Sequence, residues 1–393
     1  MFWEKEGKLI YSYDGETVCI EAWGKDALRV RATKNRSFTG RDWALEAKDA
    51  HAGEVEIFED PSAKGGAFAN MYEGTDTSYG KITNGKLHAV IDSGSVITFY
   101  HEDGRVLLKE HFRRLRDEES MPLNIMGREY SNGVGDNFRI VARFVARKGE
   151  KIFGMGQYQQ HELDLKGCML ELAQRNSQVS VPFYLSSIGY GFLWNNPGVG
   201  QVMFANNGTE WVTESGKEID YLVIAGDTPA EIEENYMTLT GKPPMMPEYG
   251  MGFWQCKLRY WNQEQLLSVA RKYKELGVPL DVIVVDFFHW TKQGEFKFDP
   301  KYWPDVPGMC RELKEMGIQV VVSVWPTVDI YSENFEEMKE KGYLVRTEHG
   351  VPLTMLCGGN EVFFDATNPD ARTYVWEKIK KNYYDQGAKL FWL

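Results

Sequence analysis

The spacing of hydrophobic residues changes once along the chain, and the change predicts two kinds of structure. Up to about residue 225, apolar and polar residues alternate in short runs such as KLHAVIDSGSVITFYHEDGRVLL, with Gly, Asn and Asp between them. A period of two indicates strands with one buried face, and the interruptions indicate turns. This part of the chain is therefore predicted to form an antiparallel β-sandwich.

A connector follows the predicted sandwich. The segment DTPAEIEENYMTLTG is typical of a short helix, and the segment KPPMMPEYG after it contains three prolines. Prolines so close together exclude regular structure and are typical of a linker. We therefore predict a domain boundary near residue 245, with one domain over 1–245 and a second over 246–393.

The second domain shows strands and helices in alternation. The predicted helices include one from Asn262 to Gly277 and others in DVPGMCRELKEMG, SENFEEMKEKG and NPDARTYVWEKIKKNYYDQG. The predicted strands are MGFWQCK, LDVIVVDFF, IQVVVSVWP and KLFWL. Continuous apolar strands between helices are typical of a parallel sheet that is buried on both faces and connected by right-handed β/α units.

Two architectures fit such a sheet. A doubly wound nucleotide-binding sheet would have a glycine-rich turn after its first strand, and CKLRYWNQEQ has none. A (β/α)8 TIM barrel places function at the C-terminal ends of its strands, which here carry Gln255, Asp286 and Trp325. We favour the barrel. A complete barrel needs roughly 250 residues, so 246–393 is expected to be its first half, strands 1 to 4.

Composition limits the possible ligands. The chain has 393 residues and a formal net charge of -12, which disfavours nucleic acid and anionic lipid as partners. Aromatic residues make up 13% of the chain, including 12 Trp. They are either large core residues or platforms on which the apolar faces of sugar rings stack.

Other residue types exclude some kinds of site. The five cysteines, Cys19, Cys168, Cys256, Cys310 and Cys357, are scattered and form no C-x-x-C pair, which argues against a disulfide framework and against zinc. The chain contains no H-x-x-x-H pair, so the sequence does not indicate a metal site. No cofactor is expected. The start of the chain, MFWEKEGKLIYSYDGE, lacks the features of a signal peptide, so a cytoplasmic location is the expectation.

Several long segments in the same order resemble glycoside hydrolase family 31, the retaining α-glucosidase and α-xylosidase family. In the second domain these segments are GFWQCKLRY, LDVIVVDFFHW, FKFDPKYWPDVPGM, VVVSVWPTV and VFFDATNPDAR. In the first domain FGMGQYQQ and LAQRNSQVSVPFYLSSIGYGFLWNN resemble the family's N-terminal domain. The resemblance is clear from about Ile152 onwards and weaker before it.

The resemblance implies where the catalytic residues are. In the family, the fourth barrel strand ends in an aspartate nucleophile that follows a pair like Trp392 and Leu393. The nucleophile is thus expected immediately after Leu393, and the acid/base aspartate further on. Retaining hydrolysis needs both carboxyl groups, about 5 to 5.5 Å apart. The 393 residues alone are therefore expected to lack catalytic activity.

The resemblance also implies sugar-binding residues after the second barrel strand. An aspartate at the position of Asp286 holds a sugar hydroxyl in family members, and bulky residues like Phe287 and Phe288 fill the space of a glucose hydroxymethyl group in those that prefer xylosides. The alternatives are a structural hydrogen bond or ion pair for Asp286 and core packing for the phenylalanines. His289 and Trp290 either line the leaving-group side or belong to a surface loop.

Other predicted binding residues lie on other elements. Trp325 and Trp392 match positions of aromatic pocket walls in the family, with core packing as the alternative. Arg175 and Asn176 match a loop that reaches the sugar in relatives, although their polarity also suits a simple turn. Asp365 is predicted to be a structural or helix-capping residue.

The sequence thus predicts a retaining α-glycosidase that removes terminal α-xylosyl or α-glucosyl residues from oligosaccharides and is present as an incomplete chain. An α-glucan lyase of the same family is one alternative. A non-catalytic carbohydrate-binding protein, made of the sandwich and half a barrel, is another. The expected partner is an oligosaccharide or α-glycoside, with a homo-oligomer possible for the full-length protein.

Overall fold

The computed structural model describes residues 1–59, 78–92, 94–111, 113–115, 123–347, 350, 352, 354 and 360–393. The chain divides into two compact units, Met1–Pro243 and Pro244–Leu393. Cys357 lies outside the described residues.

In its described part, the first unit consists of antiparallel strands and one α-helix. Among the described residues its strands are β1 Phe2–Lys5, β2 Lys8–Tyr13, β3 Glu16–Trp23, β4 Ala27–Thr33, β5 Ala50–His51, β6 Glu54–Glu59, β7 Ser78–Asn84, β8 Leu87–Ile91, β9 Ile97–His101, β10 Val106–Lys109, β11 Arg113–Leu115, β12 Leu123–Ile125, β13 Arg128–Asn132, β14 Phe138–Phe144, β15 Ile152–Gln157, β16 Met169–Leu172, β17 Val179–Ser186, β18 Tyr190–Trp194, β19 Gly200–Ala205, β20 Gly208–Gly216 and β21 Ile219–Ala225. The helix is α1, Pro229–Thr240, and a short 3-10 turn spans Ala47–Asp49.

Within the described residues, these strands form one nine-stranded sheet, two five-stranded sheets and a separate pair. The large sheet runs β1-β2-β3-β4-β21-β18-β17-β15, with β5 beside β3; the smaller sheets run β10-β9-β8-β7-β6 and β13-β14-β20-β19-β16, and β11 pairs with β12. One hydrophobic core draws residues from all three larger sheets. Alternate residues of strands such as β8 and β9 are buried. The shared core and this alternation confirm the predicted sandwich.

The helix α1 forms where the connector was predicted to be helical. Pro229 occupies its first turn, and the Thr228 hydroxyl accepts a hydrogen bond of 3.2 Å from the Glu231 backbone N–H. Proline and a threonine cap both favour a helix start, since the first N–H groups of a helix have no partner within it.

The second unit is a parallel sheet with helices. In the described residues its strands are β22 Trp254–Cys256, β23 Val282–Val285, β24 Gln319–Ser323, β25 Thr327–Asp329, β26 Glu361–Phe363 and β27 Leu390–Trp392. Its helices are α2 Gln263–Glu275, α3 Val306–Glu315, α4 Phe335–Glu340 and α5 Pro369–Asn382, with 3-10 turns at Glu248–Met251 and Tyr384–Gln386.

The strands β22, β23, β24 and β27 pair in that order, all in parallel. Alternate residues divide between two apolar clusters. Ile283 and Val285 pack with the helices, whereas Val282 and Val284 pack on the opposite face. Both faces are buried, as predicted, and the pattern is that of the first four strands of a (β/α)8 barrel.

Side-chain caps set the starts of three helices. The side chains of Asn262, Asp305 and Asn368 accept hydrogen bonds of 2.9, 2.8 and 2.9 Å from backbone N–H groups in the first turns of α2, α3 and α5. The antiparallel pair β25–β26, between β24 and α5, was not predicted. Its strands have only three residues each, too few for a period to be recognised.

Candidate active site

The C-terminal ends of the parallel strands bring chemically distinct side chains to one face. Residues two apart on a strand share a face. Val284 packs on the face opposite the helices, so Asp286, two residues on, continues that face just beyond β23. Trp325 is four residues after Val321 of β24 and therefore lies on the same face as Val321. Trp392 is two residues after Leu390 of β27 and shares the face of Leu390.

Asp286 is half-buried and has two hydrogen bonds. Its Oδ1 accepts one of 2.8 Å from the Phe287 backbone N–H, and its Oδ2 accepts one of 3.5 Å from the Cys256 thiol. Among the described residues, no cation forms an ion pair with this carboxylate. A half-exposed carboxylate without a partner cation has capacity to accept hydrogen bonds from hydroxyl groups.

Cys256 was not predicted as a site residue. Burial and then the negative charge of Asp286 raise the pKa of the Cys256 thiol to about 11, so the thiol stays protonated and donates its hydrogen bond. The side chain of the preceding residue, Gln255, lies on the helix-covered face of the sheet, where its Oε1 accepts a hydrogen bond of 2.7 Å from the Tyr273 hydroxyl of α2. Strand alternation could have identified Cys256 instead of Gln255.

Phe287 and Trp325 form an aromatic wall. Their ring centroids lie 5.2 Å apart at an interplanar angle of 32°, and Phe288 approaches Phe287 at 4.3 Å. Trp290 lies 6.4 Å from Trp325, at the edge of the same group. Aromatic faces of this kind suit the C–H side of a sugar ring.

Phe288 is held in an unusual conformation. Its φ is 63°, in the left-handed region, and its side chain is 53% exposed. The Arg259 guanidinium lies 5.1 Å from the Phe288 ring and 4.2 Å from the Trp261 ring, and it donates a hydrogen bond of 3.3 Å to the Phe288 carbonyl. Arg259 was not predicted, because nothing in the sequence indicates that it reaches Phe288, 29 residues away.

His289 lies in the interior. Nδ1 is 2.9 Å from the Asp286 carbonyl oxygen, and Nε2 is 2.9 Å from the Tyr383 hydroxyl. Burial lowers the pKa of His289 to about 4, so the ring is neutral near pH 7. Since a carbonyl only accepts, Nδ1 carries the proton and Nε2 accepts from Tyr383. Both nitrogens are occupied, so the ring positions Asp286 in this conformation and presents no free nitrogen to a sugar.

Trp392 ends β27 with its side chain 53% exposed, and its carbonyl accepts a hydrogen bond of 2.8 Å from the Val324 backbone N–H. Asp365 caps the turn before α5, because its Oδ1 accepts from the Thr367 N–H at 2.9 Å and from the Thr367 hydroxyl at 2.6 Å. The structural role predicted for Asp365 is confirmed.

Arg175 and Asn176 lie in the first unit, in the turn between β16 and β17. The Gln178 N–H donates a hydrogen bond of 3.0 Å to the Arg175 carbonyl, which closes the turn. The Arg175 guanidinium binds Glu171 at 2.5 and 2.9 Å, and both Arg175 and Asn176 are exposed. The polar turn is as expected, and contact with a sugar stays a prediction.

Two features are absent from the described residues. They contain no group of three or more His, Cys, Asp or Glu side chains placed to hold a metal ion. None of their helices is both long and apolar enough to cross a membrane.

Comparison with protein families identifies both units. Residues 17–202 match the glycosyl hydrolase 31 N-terminal galactose mutarotase-like domain. Residues 243–393 match the glycosyl hydrolases family 31 TIM-barrel domain.

Individual relatives agree. The chain is 44% identical to an uncharacterized family 31 glucosidase of Pseudescherichia vulneris, over 99% of this chain and 72% of that protein. It is 31% identical to alpha-xylosidase A of Aspergillus niger, over 96% of this chain and 51% of that protein.

A solved structure, a GH31 α-xylosidase from a soil metagenome complexed with xylose, superposes with a TM-score of 0.89 at 48% identity. The match covers all of this chain and 57% of that one. The chain thus spans between about half and three quarters of the length of these relatives. On the family matches, the identities and the shared fold together, the chain belongs to glycoside hydrolase family 31.

Proposed function

We propose that the protein is a retaining α-glycosidase that removes terminal α-xylosyl or α-glucosyl residues from oligosaccharides. The observation that carries the proposal is the position of Asp286 at the end of β23, beside the aromatic wall of Phe287 and Trp325. A carboxylate that accepts hydroxyl hydrogen bonds, next to rings that cover the apolar side of a sugar, is a pyranose-binding arrangement.

Within this proposal each residue has a chemical task. The Asp286 carboxylate binds hydroxyls of the terminal sugar, and the Cys256 thiol and the Phe287 N–H orient it. His289 fixes the Asp286 backbone from the interior. Neither the nucleophile nor the acid/base is assigned among these 393 residues, which contribute the sugar-binding side of the site.

Xylosides are the favoured substrates. By resemblance to family members that prefer xylosides, the bulky Phe287 and Phe288 after Asp286 take the space of the glucose hydroxymethyl group, and Phe287 lies against Trp325. The soil-metagenome relative was solved with xylose, and the Aspergillus niger relative is an alpha-xylosidase, which supports the same preference. Lyase chemistry has no specific observation in its favour.

Turnover of p-nitrophenyl α-xyloside and α-glucoside by protein from the complete gene tests the proposal. We expect release from the xyloside, with xylose appearing first as the α-anomer in proton NMR, because retention requires two inversions. The variant Asp286→Asn should lower kcat/KM by about 100-fold, the equivalent of roughly 3 kcal/mol for hydrogen bonds to a charged group.

The matched control is Asp370→Asn, because Asp370 is an exposed aspartate in the first turn of α5. Its kcat/KM should equal that of the wild type. No release from either glycoside, or equal activity of the Asp286 and control variants, would overturn the proposal.

A cytoplasmic location and an oligomer of the full-length protein remain part of the proposal. The four cysteines among the described residues, Cys19, Cys168, Cys256 and Cys310, are free thiols, which supports a reducing compartment. Cell fractionation with an antibody against the protein, followed by size-exclusion chromatography with light scattering, tests both points. Recovery outside the cytoplasmic fraction would contradict the location.

A further inference from the structure

Residues 286–289, the segment after β23, are held at two backbone carbonyls. The His289 ring binds the Asp286 carbonyl from the interior at 2.9 Å. Nη1 of Arg259, a half-buried residue after β22, donates a hydrogen bond of 3.3 Å to the Phe288 carbonyl. The second contact is thus made at the residue of this segment whose backbone is least favourable.

The backbone of Phe288 is strained. Its φ of 63° lies in the left-handed region, where a bulky aromatic residue is a rare outlier. Such a conformation persists only where the surrounding contacts determine it, and it is often found at functional sites. Burial of the ring does not provide those contacts in full, because the side chain is 53% exposed. Contacts from other residues must therefore favour this conformation.

Arg259 provides such contacts through both its charge and its planar shape. Its guanidinium lies 4.2 Å from the Trp261 ring and 5.1 Å from the Phe288 ring, distances at which a cation and an aromatic face attract. In the described part of the chain Arg259 has no ion pair, although Asp299 and Glu361 line the same cavity. The guanidinium is therefore directed at Phe288 and Trp261 instead of at a carboxylate.

These contacts depend on the backbone of Phe288. A rotation of φ towards the usual negative values would move both the Phe288 carbonyl and its ring, so Arg259 could not keep all of its contacts. Since His289 is fixed in the interior at both ring nitrogens, the part of the segment free to shift would be Phe287 and the Asp286 side chain. Asp286 accepts from the Phe287 N–H at 2.8 Å, so the two would move together.

We propose that Arg259 is a positioning residue: it holds Phe288 in the left-handed conformation and thereby fixes the Asp286 carboxylate and the Phe287 ring. It acts through Phe288 and does not touch the sugar. The inference rests on the proposed function, because the sugar held at Asp286 belongs to the proposed substrate. One of its two readouts needs no sugar, so the two proposals can fail separately.

The first readout is the reactivity of Cys256. Its thiol donates a hydrogen bond of 3.5 Å to Asp286 Oδ2, so it reports the position of that carboxylate. Arg259→Met removes the guanidinium and keeps an apolar side chain of similar length. It should speed alkylation by iodoacetamide at pH 8 by about threefold, because a thiol released from a carboxylate ionises more readily. Loss of the Arg259 charge alone would slow alkylation, since a nearby cation favours the thiolate.

The second readout is turnover by protein from the complete gene. Arg259→Met should lower kcat/KM for p-nitrophenyl α-xyloside by about tenfold, because the sugar is no longer held by a fixed Asp286. The loss should be equal for α-xylosyl fluoride, whose leaving group is a single atom. A residue that contacted the leaving group directly would affect the p-nitrophenyl substrate only.

Phe288→Gly tests the role of backbone strain. Glycine adopts the left-handed region without steric cost, so Arg259 has less to hold in this background. Arg259→Met should therefore lower kcat/KM there by only about twofold. Arg259→Lys retains a charge but loses the planar guanidinium, and it should give intermediate changes in both readouts when Phe288 is present.

The matched control is Arg311→Met, at an exposed arginine of α3, which should change neither readout. Melting curves identify any variant that does not fold, and Arg259→Lys decides if Arg259→Met is one.

Three results would each overturn the proposal: an alkylation rate equal to that of the control, a loss of kcat/KM confined to the p-nitrophenyl substrate, or an undiminished loss in the Phe288→Gly background. If the wild type turned over neither xyloside nor glucoside, the proposed function would fail, and the alkylation rate at Cys256 would still decide the role of Arg259.

Discussion

His289 and Tyr383 lie 94 residues apart in sequence and are joined by a hydrogen bond of 2.9 Å in the interior of the second unit. Burial raises the pKa of Tyr383 well above its usual range, so its hydroxyl is protonated and donates to Nε2 of the neutral imidazole. The other nitrogen donates to the Asp286 carbonyl. The end of α5 therefore supports the segment that carries Asp286.

The first prediction is that His289 makes stability depend on pH. Its pKa is lowered from 6.5 in the unfolded chain to about 4 in the folded protein, so the unfolded chain binds more protons between these values. The contribution of His289 to the free energy of unfolding is fully present above pH 6.5 and is lost as the pH falls towards 4. It amounts to at most about 3 kcal/mol, at 1.36 kcal/mol per pKa unit.

Urea unfolding at pH 7.5, 6, 5 and 4.5 measures this contribution. The variant His289→Gln should be less stable than the wild type at pH 7.5, with a difference that narrows as the pH falls. His161→Gln, at an exposed histidine, is the control and should follow the wild type. A constant difference between His289→Gln and the wild type at every pH would contradict the linkage.

The second prediction concerns the reactivity of Cys256. With a pKa of about 11, its thiol should react with iodoacetamide about a hundredfold more slowly at pH 8 than an ordinary cysteine, although the residue is exposed. Asp286→Asn removes the neighbouring negative charge, which lowers the pKa and should speed alkylation severalfold. Peptide mass spectrometry of timed samples gives the rate at Cys256.

Glu315→Gln serves as the control for that measurement, since Glu315 lies at the end of α3 and has no contact with the thiol. If Asp286→Asn slows alkylation or leaves the rate unchanged, the charge of Asp286 does not act on Cys256.

The third prediction concerns substrate preference. Phe287 packs on Trp325, whereas Phe288 is exposed and lies beside Arg259. Phe287→Ala should therefore open space for the glucose hydroxymethyl group. In the same assay on p-nitrophenyl glycosides, with protein from the complete gene, we expect the ratio of kcat/KM for glucoside over xyloside to rise by about tenfold, or roughly 1.4 kcal/mol. Phe253→Ala, at a half-exposed phenylalanine just before β22, is the matched control, and an equal shift in both variants would show that Phe287 does not set the preference.

The fourth prediction concerns stability of the first unit. Arg29 is fully buried and binds both oxygens of Asp220, at 3.0 and 2.6 Å, and the carboxylate of Asp42 at 2.8 Å. Arg29→Met leaves Asp220 buried without its partner and should lower the free energy of unfolding by about 3 to 5 kcal/mol. Urea unfolding at pH 7 measures the change.

The comparison for that variant is Arg139→Met, which removes an exposed pair with Glu214 at 3.3 Å. An exposed pair contributes at most about 1 kcal/mol. If Arg29→Met and Arg139→Met lowered the free energy of unfolding by similar amounts, burial would not strengthen the ion pairs of Arg29.

The sequence by itself determined the order and type of the main elements. Alternation in segments such as β8 and β9 indicated strands with one buried face, and continuous apolar runs such as Val282–Val285 indicated a sheet covered on both sides. These patterns are local, because side-chain direction repeats every two residues on a strand. The helix predicted to start at Asn262 is α2, and Asn262 caps its first turn.

Only the tertiary structure decided which residues act together. The aromatic wall joins Phe287 to Trp325, and the pair β25–β26 sets Asp329 opposite Glu361. His289 looks like a site residue in the sequence, yet both its nitrogens are used in the interior. Such partners lie tens of residues apart in sequence. Their contacts depend on how strands pair and helices pack, which the local spacing of hydrophobic residues does not indicate.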